Sequence, residues 1–160
     1  MEPRINIKTI DPEVYKTLLG LGKLLAHSGL DRRLLNFVYL RASQINGCAY
    51  CIDMHRKDLR AEGETEQRVY LLDGWREAPI YTDRERAALA WTEAVTKVTE
   101  GHVPDEVYEQ ARAQFSEREL VYLTVAVGAI NVWNRLNVAF RTVAGDYQPG
   151  MLQRAGSPAV

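Results

Sequence analysis

Residues 47–55 read GCAYCIDMH and hold the only two cysteines of the chain, Cys48 and Cys51, with His55 four positions after the second. A thiolate is both a nucleophile and a metal ligand, and two thiols this close can bridge. On a helix, Cys51 lies one turn beyond Cys48, and His55 lies one further turn along the same face as Cys51. A helix that starts at Cys48 offers its unpaired N–H groups and the positive end of its dipole to an anion, a thiolate included. The imidazole of His55 can take a proton from the Cys51 thiol, directly or through a water. Two sulfurs that can bridge and a base beside one of them are the parts of two-electron thiol chemistry. Two other readings share the pattern. Free cysteines can be small core residues without chemistry. Cys48, Cys51 and His55 also offer three zinc ligands, where a structural site usually takes four. His27 and His102 are distant in sequence, and there is no second Cys-x-x-Cys.

The elements that must position this motif read as helices. Val14, Leu18, Leu21 and Leu25 recur at helical spacing behind Asp11 and Pro12, a plausible cap and first turn ending near Ser28-Gly29. Asp31 can cap a second helix with Leu35, Val38, Ala42 and Ile45 on one face, stopped by Asn46-Gly47. A third helix starts around the cysteines and runs to Glu62-Gly63, and Thr65 opens a short fourth through Leu72. Residues 73–81 read as a loop. TDRE at 82–85 and SERE at 116–119 fit the capping box. The first opens a helix with Ala88, Trp91, Val95 and Val98 in a stripe. The second opens a long helix to about Arg141 with Trp133, Leu136 and Phe140 aligned. A short helix from Pro104 lies between them, and the tail from Gly145 is expected to fray. This gives an all-α fold of about seven helices with the cysteine motif at a helix N-terminus.

The 160 residues fit one domain, 1–160. Apolar residues at 46% and charged ones at 26% suit a globular protein, and a net charge of −1 without a charge run argues against nucleic acid and anionic membranes. Leu120–Ile130 is too short for a membrane span and belongs in the core or between protomers. The first fifteen residues lack the apolar centre of a signal peptide, so the expectation is a cytoplasmic protein, where a close cysteine pair is more often catalytic or metal-binding than structural. GLGKLL at 20–25 lacks the third glycine and preceding strand of a phosphate loop. Trp75, Trp91 and Trp133 read as core, with pocket lining as the alternative, His102 as a solvated turn residue, and Asp53 and Arg56 as surface charges. Asn131, Asn134 and Arg135 could face the site or an oligomer seam.

Residues 40–96 closely resemble the alkylhydroperoxidase D-like core of the carboxymuconolactone decarboxylase superfamily. The likeness rests on SQINGC leading into C-x-x-C-x-x-x-H, on the AEGE turn, and on the Trp-Arg-x-x-Pro loop before a capped helix; NVWNRLNVAFR at 131–141 resembles the closing helix. It spans about residues 30–141. The resemblance implies an all-α protomer, assembly into homotrimers or homohexamers, and a Cys48/Cys51 pair cycling between dithiol and disulfide. It implies a thiol-dependent peroxidase of antioxidant defence that reduces a hydroperoxide, needs no cofactor, and is recharged by a dithiol or lipoyl-type partner. Cys51, beside His55, matches the peroxidatic sulfur, and Cys48 the more exposed resolving one. One position departs. Peroxidase members carry a relaying glutamate twelve residues before the first cysteine, where this chain has Asn36, which can orient an imidazole but not take up its proton. If that relay limits the rate, Asn36→Glu should raise it. A non-peroxidatic member binding a lactone-type or other small organic substrate, or a disulfide redox sensor, are the alternatives; retention of both cysteines favours redox chemistry.

Overall fold

The computed structural model describes residues 2–151. Among them are nine α-helices and no strand. In chain order they are α1 (Ile7–Ile10), α2 (Pro12–Ala26), α3 (Arg32–Ile45), α4 (Ala49–Ala61), α5 (Glu66–Tyr70), α6 (Asp83–Thr96), α7 (Val98–Gly101), α8 (Asp105–Gln114) and α9 (Glu117–Phe140). Two more helices than expected are present because α1 and α7 are single turns, too short to show an apolar period. A 3-10 turn over Leu71–Gly74 takes the first part of the expected 73–81 loop.

The helix starts follow the side chains that can satisfy orphan N–H groups. Asp11 accepts from Val14 N and Asp31 from Leu34 N, while Thr82 and Ser116 form full capping boxes with Glu85 and Glu119. Thr65 caps α5, and Pro104 stands at the α8 N-cap without a side-chain bond. GLGKLL lies inside α2.

Helix α3 is the hub and touches α4, α6 and α9. Leu34, Leu35 and Val38 join Leu25, Trp91, Leu123 and Val127 in one apolar cluster. Phe37 and Leu40 join Leu59, Leu72, Trp75 and Leu89 in a second. Ala42 enters a third, small cluster with Cys48, Cys51 and Ile130. A helix buried on several sides is apolar nearly all round, so its buried polar residues, Asn36 and Ser43, need internal partners. Both find them beside the cysteines.

Some expected stripes differ. Val98 lies beyond the end of α6 and is exposed. On α2 only Leu25 is buried, because much of its apolar face borders a cavity rather than packed side chains. On α9 the buried stripe runs through Leu123, Val127, Ile130, Asn134 and Asn137 rather than Trp133, Leu136 and Phe140. The segment from Gly145 does not fray over its described part. Lys57 Nζ donates to the carbonyls of Gly145 (2.7 Å) and Tyr147 (3.1 Å), and the buried Tyr147 donates its hydroxyl to Asp58 (2.8 Å). Residues 152–160, also part of that expectation, lie outside the described residues. No helix among the described residues is long and apolar enough to cross a membrane.

Candidate functional site

The end of α3 and the start of α4 share one tight turn. Gly47 adopts φ +67°, which costs a residue with a Cβ about 1–2 kcal/mol. Gly47 N donates to Gln44 O (3.2 Å) and Cys48 N to Ser43 O (3.0 Å), closing a Schellman motif. Cys48 is thus the last residue of one cap and the N-cap of the next helix, and its Sγ accepts from Cys51 N at 3.3 Å. A set of asparagines ties this turn to α9. Asn46 donates to Asn131 Oδ1 (3.0 Å) and Asn134 Oδ1 (2.9 Å), and Asn134 donates to Ser43 Oγ (3.0 Å). Arg135 folds back on Asn131 of its own helix.

Cys48 and Cys51 form a disulfide, with Cα atoms 5.4 Å apart. Both are buried, at 1% and 0% exposure. The resemblance implies a more exposed Cys48, and within one chain the two sulfurs are almost equally buried. The Cys48 side chain folds back over the α4 N-terminus and packs with Ala42 and Ile130, so it is Cys51 that borders open space. Asn137 Nδ2 on α9 lies 3.4 Å from Cys51 Sγ.

His55 sits on α4 as the spacing predicts, and it is buried. Its Nδ1 lies 3.2 Å from Asn36 Oδ1, and its ring packs on Tyr39 with centroids 5.1 Å apart. Nε2 finds no hydrogen-bond partner among the described residues. Burial disfavours the imidazolium and lowers the pKa to about 3, while the same burial pushes the Tyr39 hydroxyl far above its usual range. Asn36 donates its amide to both oxygens of Glu62 (3.2 and 3.1 Å), and Glu62 pairs with Arg32 at 2.6 Å.

Cys51 and His55 line a cavity of about 460 Å³. Its walls are mostly apolar: Tyr15, Leu18 and Leu19 of α2, Ile130 and Trp133 of α9, and Ile5 and Ile7 of the N-terminal segment. That segment is pinned to the end of α9, where Arg4 N donates to Phe140 O (2.9 Å) and its guanidinium to Ala139 O (3.2 Å). Trp133 stands edge-on to Tyr15 at 5.7 Å and belongs to the cavity rather than to the core. Trp75 and Trp91 are core residues whose indoles donate to Glu93 and Thr124. His102 is exposed, and Asp53 is held by Lys57 at 2.8 Å and by Gly145 N. Among the described residues no cluster of three His, Cys, Asp or Glu could hold a metal ion.

The site thus joins the three residues taken from the motif with others that the motif does not signal. Asn137 had a signal: asparagines at 131, 134 and 137 mark one stripe of an otherwise apolar helix. Glu62 and the N-terminal wall had none, since their places depend on how helices pack.

An all-helical protein with a Cys-x-x-Cys disulfide at a helix N-terminus, a buried histidine one turn on and an apolar cavity over both defines a class of dithiol proteins with the alkylhydroperoxidase D-like fold. The carboxymuconolactone decarboxylase family model matches residues 12–94, and the chain belongs to that family. It is 40% identical over 139 residues, 87% of this chain and 95% of the relative, to the uncharacterized protein YdfG of Bacillus subtilis. A solved structure from Agrobacterium tumefaciens, of a protein of unknown function described provisionally as the antioxidant defence protein AhpD, superposes with a TM-score of 0.88. It is 46% identical, with 91% of this chain and all of the other covered. The debrominase Bmp8 shares the fold at 20% identity and a TM-score of 0.74, over 91% of this chain and 75% of its own.

Proposed function

We propose that the protein is a thiol-dependent peroxidase in which Cys51 attacks a hydroperoxide held in the apolar cavity. The observation that carries the reading is the placement of Cys51 and His55 on one cavity wall, with Cys48 in bridging reach of Cys51. In the dithiol state the Cys51 thiolate attacks the terminal peroxide oxygen. The S–O bond forms, the O–O bond breaks, and the alkoxide takes a proton and leaves as the alcohol. The Cys48 thiol then attacks the Cys51 sulfenic acid, forming the disulfide and releasing water. Two exchanges with a dithiol, of lipoyl or similar type, return both thiols and oxidise the reductant.

His55 serves as the proton carrier. An amide oxygen only accepts, so the contact with Asn36 puts the proton on Nδ1 and leaves Nε2 as the base. Burial makes it a weak base in the disulfide form. A thiolate one turn away favours the imidazolium, and the α4 N-terminus favours the thiolate, so the pair is stabilised together. The mostly apolar cavity favours an organic hydroperoxide over hydrogen peroxide.

The test is hydroperoxide consumption with dihydrolipoamide as reductant. Turnover by the wild type and none by Cys51→Ser supports the reading; no turnover with any dithiol contradicts it. A second reading, a small organic ligand bound without peroxide chemistry, is favoured by the cavity together with Asn36 at the relay position. It predicts ligand-dependent stabilisation that survives replacement of both cysteines.

Assembly into homotrimers or homohexamers is supported by the exposed Val121, Val132 and Val138 along α9, and sedimentation as a monomer at micromolar concentration would count against it. A cytoplasmic location suits a dithiol that must be recharged.

A further inference from the structure

We infer that Glu62 is a positioning residue that sets the tautomer of His55 through Asn36. The amide of Asn36 is ambiguous by itself. Its NH2 end would hold an imidazole with Nδ1 as acceptor, and its oxygen would hold one with Nδ1 protonated. Only the second leaves a lone pair on Nε2, the nitrogen without another partner among the described residues.

Glu62 removes the ambiguity. An ionised carboxylate only accepts, and both of its oxygens lie within 3.2 Å of Asn36 Nδ2. The NH2 end must face Glu62, so Oδ1 must face His55 Nδ1, at 3.2 Å. The exposed Arg32 pairs with the same carboxylate at 2.6 Å. Asn36 is 6% exposed, so no bulk water competes for its amide. Glu62 borders neither the cavity nor a sulfur, and its hydrogen-bonded link to His55 runs through Asn36. The carboxylate that the resemblance leads one to expect at position 36 is thus supplied from the end of α4, one amide further out. It orients the base and does not carry its proton. Its importance for turnover rests on the proposed role of His55; its effect on the tautomer does not.

The experiment is nitrogen NMR of protein labelled with 15N-histidine, with His55 assigned by its loss in His55→Gln. In the disulfide form the wild type should show His55 neutral and protonated on Nδ1, by roughly ten to one or more, as a charge-assisted hydrogen bond dictates. Glu62→Gln is isosteric and can present either end of its own amide, so the two tautomers should approach equal populations. Arg32→Gln removes the ion pair but keeps the acceptor, and should leave the tautomer as in the wild type. Where peroxide turnover is measurable, Glu62→Gln should lower kcat and leave KM unchanged. An unchanged Nδ1–H tautomer in Glu62→Gln overturns the inference, as does an Arg32→Gln variant that mixes the tautomers equally well. A protein with no peroxidase activity that still shows the shift would refute the proposed reaction and leave this inference standing.

Discussion

Acidification from pH 7 to pH 5 should destabilise the disulfide form of the protein by about 2 kcal/mol through His55 alone. In the unfolded chain the imidazole has its ordinary pKa of about 6.5, and burial in the folded protein lowers it to about 3. The folded pKa is depressed, so across the window between the two values the unfolded state binds the extra proton. Stability is full above pH 6.5 and falls as the pH drops, about tenfold in the folding equilibrium per pH unit. At pH 5 the unfolded imidazole is protonated by roughly 30 to 1 while the folded one stays neutral, and RT ln 30 is about 2 kcal/mol. Asp58 works in the opposite sense, because burial raises its pKa and acid then favours the fold. The comparison must therefore be made against His55→Gln, which keeps Asp58 and loses the imidazole. In urea titrations the wild-type midpoint should fall by about 1 M more than that of His55→Gln between pH 7 and pH 5. Equal acid sensitivity of the two proteins would mean that His55 is not held neutral by burial.

Replacing Cys51 should abolish peroxide consumption, and Cys48→Ser should trap a sulfenate on Cys51, detected by dimedone labelling and mass spectrometry. His55→Ala should slow turnover by roughly 10²–10⁴-fold, the usual loss of a general base, in single-turnover kinetics. Asn36→Glu sets a new carboxylate against Glu62, a repulsion of roughly 4 kcal/mol at 4 Å and an effective dielectric of 20, so the single variant should melt lower; pairing it with Glu62→Gln should recover the melting temperature and allow any gain from a direct relay to be read. Gly47→Ala should cost about 1–2 kcal/mol in denaturant unfolding and slow closure of the disulfide, because the positive φ at Gly47 sets the position of Cys48.

The single-turn spacing of Cys48, Cys51 and His55 was legible because one helix carries all three and its period is a local property. The capping boxes at Thr82 and Ser116 were legible for the same reason. Helices α1 and α7 were not, since four residues give too little period to see. The polar stripe through Asn134 and Asn137 opposes the rule that apolar positions face inward. Those residues are buried because they serve the Gly47 turn and Cys51, a demand that arises only when α9 meets α3 and α4. Glu62 reads in sequence as a surface charge at a helix end. Its place under Asn36 depends on the packing of α3 on α4, which no local pattern encodes. The low exposure of Cys48 has a similar origin, because its side chain lies over its own helix start and against Ile130 of α9.

Peroxide reduction by the Cys48/Cys51 pair is tested by a thiol and product titration of the fully reduced wild-type protein with one equivalent of an organic hydroperoxide. A Cys51/Cys48 peroxidase loses two thiols per chain, forms one alcohol per peroxide, and recovers both thiols in full on addition of a dithiol. Two intact thiols beside unreacted peroxide would contradict that reaction.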